Sequence, residues 1–343
     1  MEGESSVILP LPVLVHDLGT RAEDSLTQYS ISTRASSTAA SDVLRDHRCF
    51  ETPQGWMLAL DPASSQTFLF RPQDGERIRL PPLEEALPLR CKCLLSDNPI
   101  AKPGCAVVVF DLDDSKMWTC NIGASKWEIH RYQLTMFLDG DVPREKNMAK
   151  CHGMAAVGGK IYYEITAHEL GFIRFNCDGS PELDTIAVDM VDLPLSMPMA
   201  TTYLVESCGE LFLVVIFFDG DNVHKVAEHA VYKMDFSRPA WCKVDSIGDD
   251  RAFLLGGDRI GISNFGASCS TAHHDGGGLR GNCMYFLNHM AITENFLHVI
   301  DVGNGTEQVQ RPFRHKGYMM PVRPPFWLVP TECTPGNRQH IQN

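Results

Sequence analysis

A glycine followed by a hydrophobic run returns five times down the chain, and no other feature of the sequence restricts the fold as much. The runs are Gly55-Trp56-Met57-Leu58-Ala59-Leu60, Gly104-Cys105-Ala106-Val107-Val108-Val109-Phe110, Gly159-Lys160-Ile161-Tyr162-Tyr163, Gly209-Glu210-Leu211-Phe212-Leu213-Val214-Val215 and Gly281-Asn282-Cys283-Met284-Tyr285-Phe286-Leu287. Successive glycines stand 49, 55, 50 and 72 residues apart. A period of about 50 with several strands per unit is the mark of a β-propeller and lies close to the kelch spacing. The expected fold is therefore all-β, a propeller of kelch-like four-stranded blades, about six of them within a range of five to seven.

The units can be followed strand by strand. After Trp56 to Leu60 come a turn at Asp61-Pro62-Ala63-Ser64-Ser65, a strand Thr67 to Phe70, a turn at Gln73-Asp74-Gly75 and a strand Arg77 to Leu80 closed by Pro81-Pro82. Pro and Gly clusters between short β-rich runs punctuate a meander. Outer hairpins are expected at Met117 to His130, Phe172 onward with a turn at Asp178-Gly179-Ser180, Ala230 to Val244, and Phe296 to Asp301 with a turn at Gly303-Asn304-Gly305. The innermost strands are expected just before the glycines, at Cys93 to Leu95, Met154 to Val157, Tyr203 to Val205 and Ala252 to Leu255. Phe326 to Val329 should pair with the strand near Leu14 and close the ring, which removes open sheet edges. Residues 84–90 have the composition of one short helical turn. Two long loops are expected, from Asp219 to about His229 and over 263–280, and long loops on a rigid scaffold are where function tends to sit. The division expected is a polar lead over 1–10, the propeller over 11–330 and a polar tail over 331–343.

The 343 residues are 44% hydrophobic, enough for a large core, and carry a formal net charge of −13. That balance argues against nucleic acid, whose phosphates need clustered Lys and Arg, and against an anionic membrane surface. No apolar run reaches the ~18 residues of a membrane span, and Met1 to Pro10 carries acids rather than the basic start of a secretory signal. The 12 cysteines are scattered, which with no secretory signal suits reduced thiols in the cytoplasm or nucleus. Asn304-Gly305-Thr306 is then a hairpin turn rather than a glycosylation site.

Motifs that carry chemistry are weak. His273-His274-Asp275 offers metal-ligand types, but adjacent side chains do not converge on one ion. Gly276-Gly277-Gly278-Leu279-Arg280-Gly281 lacks the Gly-Lys-Ser/Thr ending and the following helix of a phosphate loop. Asp111-Leu112-Asp113-Asp114 and Asp219-Gly220-Asp221-Asn222 are better read as β-turns than as calcium loops, since neither reaches a bidentate Glu. Cys91-Lys92-Cys93 has no second pair with which to hold zinc. Four of the five tryptophans, Trp56, Trp118, Trp127, Trp241 and Trp327, fall at strand or repeat-equivalent positions, and the set reads as blade packing. No catalytic, cofactor or metal residue is assigned, no cofactor is expected, and the protein-binding residues are left open.

Several stretches carry a family resemblance: Leu11-Pro12-Val13-Leu14-Val15, Cys49-Phe50-Glu51-Thr52-Pro53-Gln54-Gly55-Trp56, Asp61-Pro62-Ala63-Ser64-Ser65, Leu80-Pro81-Pro82-Leu83, Leu94-Leu95-Ser96-Asp97-Asn98-Pro99, Tyr203-Leu204-Val205-Glu206-Ser207-Cys208-Gly209-Glu210-Leu211 and Gly278 to Phe286. Over roughly residues 9–330 the chain resembles the plant F-box-associated KIB-type β-propeller family, also called domain of unknown function 295. The resemblance implies an interaction domain. Many members carry an N-terminal F-box that docks on the Skp-type adaptor of a cullin ubiquitin ligase while the propeller holds the substrate, and some resemble proteins that restrain a kinase. Here the propeller is expected from about residue 11, with no room for an F-box before it, so an adaptor is not expected to bind. The function expected is partner recognition, the partner being a kinase or a ubiquitination substrate, with competition against F-box relatives as one route. A propeller hydrolase or lyase with a central-channel pocket, and a degenerate copy that folds without a partner, are the alternatives.

Overall fold

The computed structural model describes residues 10–16, 26–39, 41–102, 104–138, 142–148, 153–176, 179–189, 199–220, 222–257, 264–271, 278–288, 296–313 and 325–331. The chain forms a six-bladed β-propeller. Blade 1 opens with β1 (Val13–His16), β2 (Leu26–Ser30) and β3 (Ala35–Ala39), and α1 (Asp42–Asp46), the one α-helix among the described residues, leads out of it. Blade 2 is β4 (Arg48–Glu51), β5 (Met57–Leu60), β6 (Thr67–Phe70) and β7 (Arg77–Leu80); blade 3 is β8 (Cys91–Leu95), β9 (Ala106–Asp111), β10 (Lys116–Asn121) and β11 (Glu128–Arg131). A separate two-stranded hairpin follows, β12 (Leu134–Leu138) with β13 (Val142–Lys146). Blade 4 is β14 (Met154–Val157), β15 (Lys160–Thr166), β16 (Glu169–Phe175) and β17 (Pro181–Ala187); blade 5 is β18 (Ala200–Ser207), β19 (Glu210–Asp219), β20 (Asn222–Asp235) and β21 (Ala240–Val244). Blade 6 has β22 (Arg251–Gly257), β23 (Asn264–Ser270), β24 (Cys283–Asn288), β25 (Phe296–Asp301) and β26 (Glu307–Gln310). The last strand, β27 (Phe326–Leu328), pairs antiparallel with β1, Trp327 opposite Leu14, and closes the ring as expected.

The burial pattern explains the glycine-led hydrophobic runs. Strands in the middle of a blade are covered on both sides by neighbouring blades, so β5, β9 and β24 are buried at every residue, and such strands read as continuous apolar runs. The outermost strands β7, β11 and β17 face solvent on one side and alternate. Period-2 geometry sends successive side chains to opposite interfaces. In β9, Val107 and Val109 pack toward blade 2, while Ala106, Val108 and Phe110 pack toward blade 4. The buried hydrophobics fall in six clusters, one at each blade-to-blade interface. The repeating glycine has a local cause: Gly55, Gly104, Gly159 and Gly209 all turn at φ between +80° and +84°, where a Cβ is unfavourable.

Blade 6 departs from the expectation. Ala252 to Leu255 is not innermost. The expected loop over 263–280 contains β23, and β23 takes the inner place, with the order β23-β22-β24-β25-β26. β22 is wedged between the inner strand and β24, pairing parallel with β24. The extra strand and its connection account for the 72-residue interval. Gly281 is small for another reason than its counterparts: a Cβ there would lie 1.7 Å from the Asp249 carbonyl oxygen. The expected loop from Asp219 to about His229 is also strand. β19 and β20 run on to a tight turn, with Asp219 opposite Asn222 and a register shift near Phe218. No helical turn forms over 84–90.

Candidate binding surface

The residues of β23 decide what the middle of the propeller can do. The strand runs beside β18 in the same direction. Asn264 donates from Nδ2 to Thr201 Oγ1 at 3.0 Å and to the Thr202 carbonyl at 2.6 Å. Gly266 lies against the Leu204 carbonyl, and Ser268 Oγ sits 2.8 Å from Ser207 Oγ. From across the ring, Lys92 Nζ of β8 donates to the Asn264 carbonyl at 2.5 Å. β23 thus lies within the ring of inner strands and occupies the channel in which a pocket was one of the expectations. Its residues, Asn-Phe-Gly-Ala-Ser-Cys-Ser, are mostly small, as the crowding requires.

Polar groups gather at the upper face, where the innermost strands end. Asp97 pairs with Lys102 at 3.2 Å. Glu206 Oε1 accepts from the Gly209 amide at 2.7 Å, and Arg251 Nη1 reaches Ser207 Oγ at 3.4 Å. Burial pushes the Glu206 carboxyl above the ordinary glutamate range, and Asp97 adds to the rise while Arg251 opposes it.

The lower face, where the innermost strands begin, carries the connections between blades. Between β7 and β8 the chain runs Pro81-Pro82-Leu83-Glu84-Glu85-Ala86-Leu87-Pro88-Leu89-Arg90. Leu83 and Leu87 are buried and anchor it, whereas Leu89 is 89% exposed. Its backbone is clamped from below. Arg48 donates from Nη1 to the Leu87 carbonyl at 3.1 Å, and from Nη2 to the Pro88 carbonyl and to the Leu89 carbonyl at 2.7 Å. The same guanidinium stacks 4.8 Å from the Phe50 ring centroid, and Cys91 Sγ donates to the Pro88 carbonyl at 3.2 Å. The turn 112–115 lies alongside: the Leu112 amide donates to the Arg90 carbonyl at 3.1 Å, and Arg90 pairs with Asp113 at 3.1 Å. Asn147, just after β13, donates to the carbonyls of Asp111 and Asp114 at 3.1 and 2.7 Å, tying the hairpin to the same surface.

The motifs singled out in the sequence do not form a reactive centre. His273-His274-Asp275 and Gly276-Gly277 lie outside the described residues. Asp111 and Asp114 cap their own turn, accepting from the Asp113 and Ser115 amides at 2.8 Å each. Asp219 pairs with Lys225 at 2.5 Å. Burial raises the thiols of Cys91, to about 12, and of Cys93, and among the described residues no three His, Cys, Asp or Glu side chains gather as a metal site. Trp56, Trp118, Trp127 and Trp327 are buried between blades, Trp127 donating to the Pro81 carbonyl at 2.9 Å, and Trp241 packs half-buried between blades 4 and 5. Leu89 had no periodic signal to mark it: a leucine between Pro88 and Arg90 in a connection looks like any loop residue.

No curated protein matches the chain. Among solved structures it is similar to a putative 6-phosphogluconolactonase from Bacteroides fragilis, with 10% identity over 87% of this chain and 93% of that one at a TM-score of 0.36. It is also similar to the β-propeller domain of Cps50 (Swd1) from Myceliophteria thermophila, at 8% identity, the same coverages and a TM-score of 0.31. YCF48 from Cyanidioschyzon merolae matches at 11% identity over 90% and 98% of the two chains, with a TM-score of 0.28. Likeness this remote carries no information about activity. The family model of the KIB1-4 β-propeller matches residues 26–313. The chain belongs to the KIB1-4 β-propeller family.

Proposed function

We propose that the chain is a partner-recognition module, binding another protein through the loops of its propeller faces and performing no covalent chemistry on it. The observation that carries this reading is β23 lying within the ring, which leaves the two faces as the broad surfaces on offer. The partner class is a kinase or a ubiquitination substrate, met in the cytoplasm or nucleus, as for the substrate-holding propellers of cullin ubiquitin ligases. Recognition would rest on a few anchors in a polar rim. Affinity purification of the tagged chain from the cells that express it, with mass spectrometry, tests the reading. Reproducible recovery of a kinase or ubiquitinated protein is expected, and recovery of nothing overturns it.

A second reading, a hydrolase working at the upper mouth, has one observation in its favour: Glu206 is a carboxyl raised by burial beside Asp97, and perturbed carboxyls mark candidate acids. Turnover of model esters and glycosides that Glu206→Gln abolishes would support it; equal rates in both proteins would remove it.

A further inference from the structure

We infer that Asn304-Gly305, at the tip of the β25–β26 hairpin, is a site of spontaneous covalent modification, where Asn304 loses ammonia through a succinimide and becomes aspartate or isoaspartate. The reaction is independent of partner recognition.

The turn supplies what the chemistry needs. The residue after the asparagine must leave its backbone nitrogen free to approach the side-chain amide carbon, which glycine does best because it has no Cβ. Asn304-Gly305 is the one Asn-Gly pair in the sequence. Water must reach the site, and Gly303, Asn304, Gly305 and Thr306 are all exposed. The side chain must also fold back over the following peptide. The Thr306 amide donates to Asn304 Oδ1 at 2.8 Å, an Asx turn that folds the side chain across the intervening Gly305 peptide and polarises Cγ toward attack. One contact opposes the reaction: the Gly305 amide donates to the Asp301 carbonyl at 2.9 Å. A solvent-exposed hairpin tip opens locally well before the sheet does, and that opening frees the nitrogen.

The step balances with water alone. The Gly305 nitrogen gives its proton to solvent and bonds to Asn304 Cγ. The bond from Cγ to Nδ2 breaks, and ammonia leaves with a proton from solvent. Water then adds to one of the two imide carbonyls. Opening on one side gives aspartate. Opening on the other gives isoaspartate, which carries the main chain through Cβ and lengthens it by a methylene.

The two products fare differently in this fold. Blade 2 holds aspartate in the same turn: the Glu76 amide donates to Asp74 Oδ1 at 3.2 Å, and the Gly75 amide to the Arg71 carbonyl at 2.9 Å. Aspartate at 304 therefore fits. A lengthened chain does not, because the tip is held from two sides. Asp301 Oδ1 accepts from the Gly303 and Asn304 amides at 3.0 and 3.1 Å, and His229 of β20 donates from Nε2 to the Val302 carbonyl at 3.4 Å. The strain passes to Glu307, which opens β26 opposite Ile300. Its carboxylate accepts from Nδ1 of His298, an imidazole 1% exposed whose Nε2 is buried without a partner among the described residues. Isoaspartate thus loosens a buried histidine between blades 5 and 6.

The full chain is incubated at pH 8 beside Asn304→Asp, Asn304→Gln and Gly305→Ala. Isomer-resolving peptide mass spectrometry locates ammonia loss, an isoaspartyl carboxyl methyltransferase with a labelled methyl donor detects isoaspartate, and thermal melts follow the fold. The wild type is expected to convert at Asn304 ahead of every other asparagine, to take up label, and to melt lower as it does. Fresh Asn304→Asp is expected to melt with fresh wild type. Asn304→Gln, whose ring would need an extra member, is expected to lose the label. Gly305→Ala is expected to slow conversion; Ser65, at φ +58° with its amide likewise on the Asp61 carbonyl, shows that this turn carries a side chain. Asn304 that stays intact in the folded chain while its excised peptide converts overturns the inference, as does another asparagine converting first. Label undiminished in Asn304→Gln places the isoaspartate elsewhere and overturns it too. Aged protein with isoaspartate at 304 that melts with fresh protein overturns the link to His298.

Discussion

Asn264 donates its side-chain amide to the Thr202 carbonyl at 2.6 Å, and through that bond the inner strand of blade 6 is fastened to the inner strand of blade 5. The two strands run side by side in the same sense, so their backbones cannot be satisfied by an ordinary antiparallel ladder between blades. A buried asparagine takes over part of that task, with a second bond to Thr201 Oγ1.

Asn264→Ala is therefore expected to destabilise the fold by about 1–3 kcal/mol, the cost of losing buried hydrogen bonds and leaving a carbonyl unpaired. Urea denaturation gives the midpoint. A variant as stable as the wild type would mean that β23 does not depend on this bond.

Close approach makes a separate prediction at Gly266. A Cβ there would lie 2.6 Å from the Leu204 carbonyl oxygen and 2.8 Å from Val205 Cγ2. Backbone on one side and a packed valine on the other leave little to yield. Gly266→Ala is expected to cost about 1–3 kcal/mol by overpacking, although alanine is otherwise the gentler residue in a strand. Thermal melts of the two proteins decide it.

Ring closure rests on Trp327, fully buried opposite Leu14 and donating from Nε1 to the Leu255 carbonyl at 3.0 Å. Trp327→Ala is expected to lose about 3–5 kcal/mol and to release β27 from β1. The exposed edge of β1 would then invite pairing between molecules, so light scattering should rise on heating well before the wild type aggregates.

The parts of this fold that were legible in the sequence are those whose strands are apolar throughout. Met57 to Leu60 and Ala106 to Phe110 are covered on both sides, and the pairing of Trp327 with Leu14 followed from the need to close a ring. β23 was hidden because Asn264, Gly266, Ala267, Ser268 and Ser270 have neither apolar periodicity nor strand propensity. Its conformation is imposed by the crowded centre, where only small residues fit. The one signal was arithmetic, an interval of 72 against 49 to 55, which has room for another strand. The polar half of β20 was hidden likewise: Asn222 to His229 looks like loop, yet Gly220, at φ +59°, is the residue a tight hairpin turn needs at its first central position. At the binding surface, neither the exposure of Leu89 nor its clamp was readable, since Arg48 lies about 40 residues away from the carbonyls it holds.

Cysteine reactivity should divide along burial. Cys208 and Cys242 are exposed, while Cys49, Cys93, Cys105, Cys120, Cys269 and Cys283 are buried. Burial pushes the Cys105 and Cys120 thiols up to about 12, and the thiolate is the reacting form. Iodoacetamide at pH 8 is expected to modify Cys208 and Cys242 first among the described cysteines, the buried ones reacting only in denaturant. Peptide mass spectrometry over a time course reads the order.

The last prediction concerns Glu206 and runs opposite to the usual carboxylate. Burial raises its pKa above the ordinary 4.5, and Asp97 adds to the rise, against the pull of the Gly209 amide hydrogen bond and then of Arg251. The folded protein thus binds this proton more tightly than the unfolded chain. The stability it contributes is fully present below the unfolded value and is lost as pH rises through the raised folded value. Above that window the ionised carboxylate is a burden. Glu206→Gln keeps an oxygen for the Gly209 amide and carries no charge at any pH. Its urea midpoint is expected to equal or exceed that of the wild type at pH 7. The gap should narrow as the pH is lowered toward about 4, where the wild-type carboxyl is itself protonated. A Gln variant less stable than the wild type at pH 7 would mean that the Gly209 amide and Arg251, which favour the carboxylate, outweigh burial and Asp97.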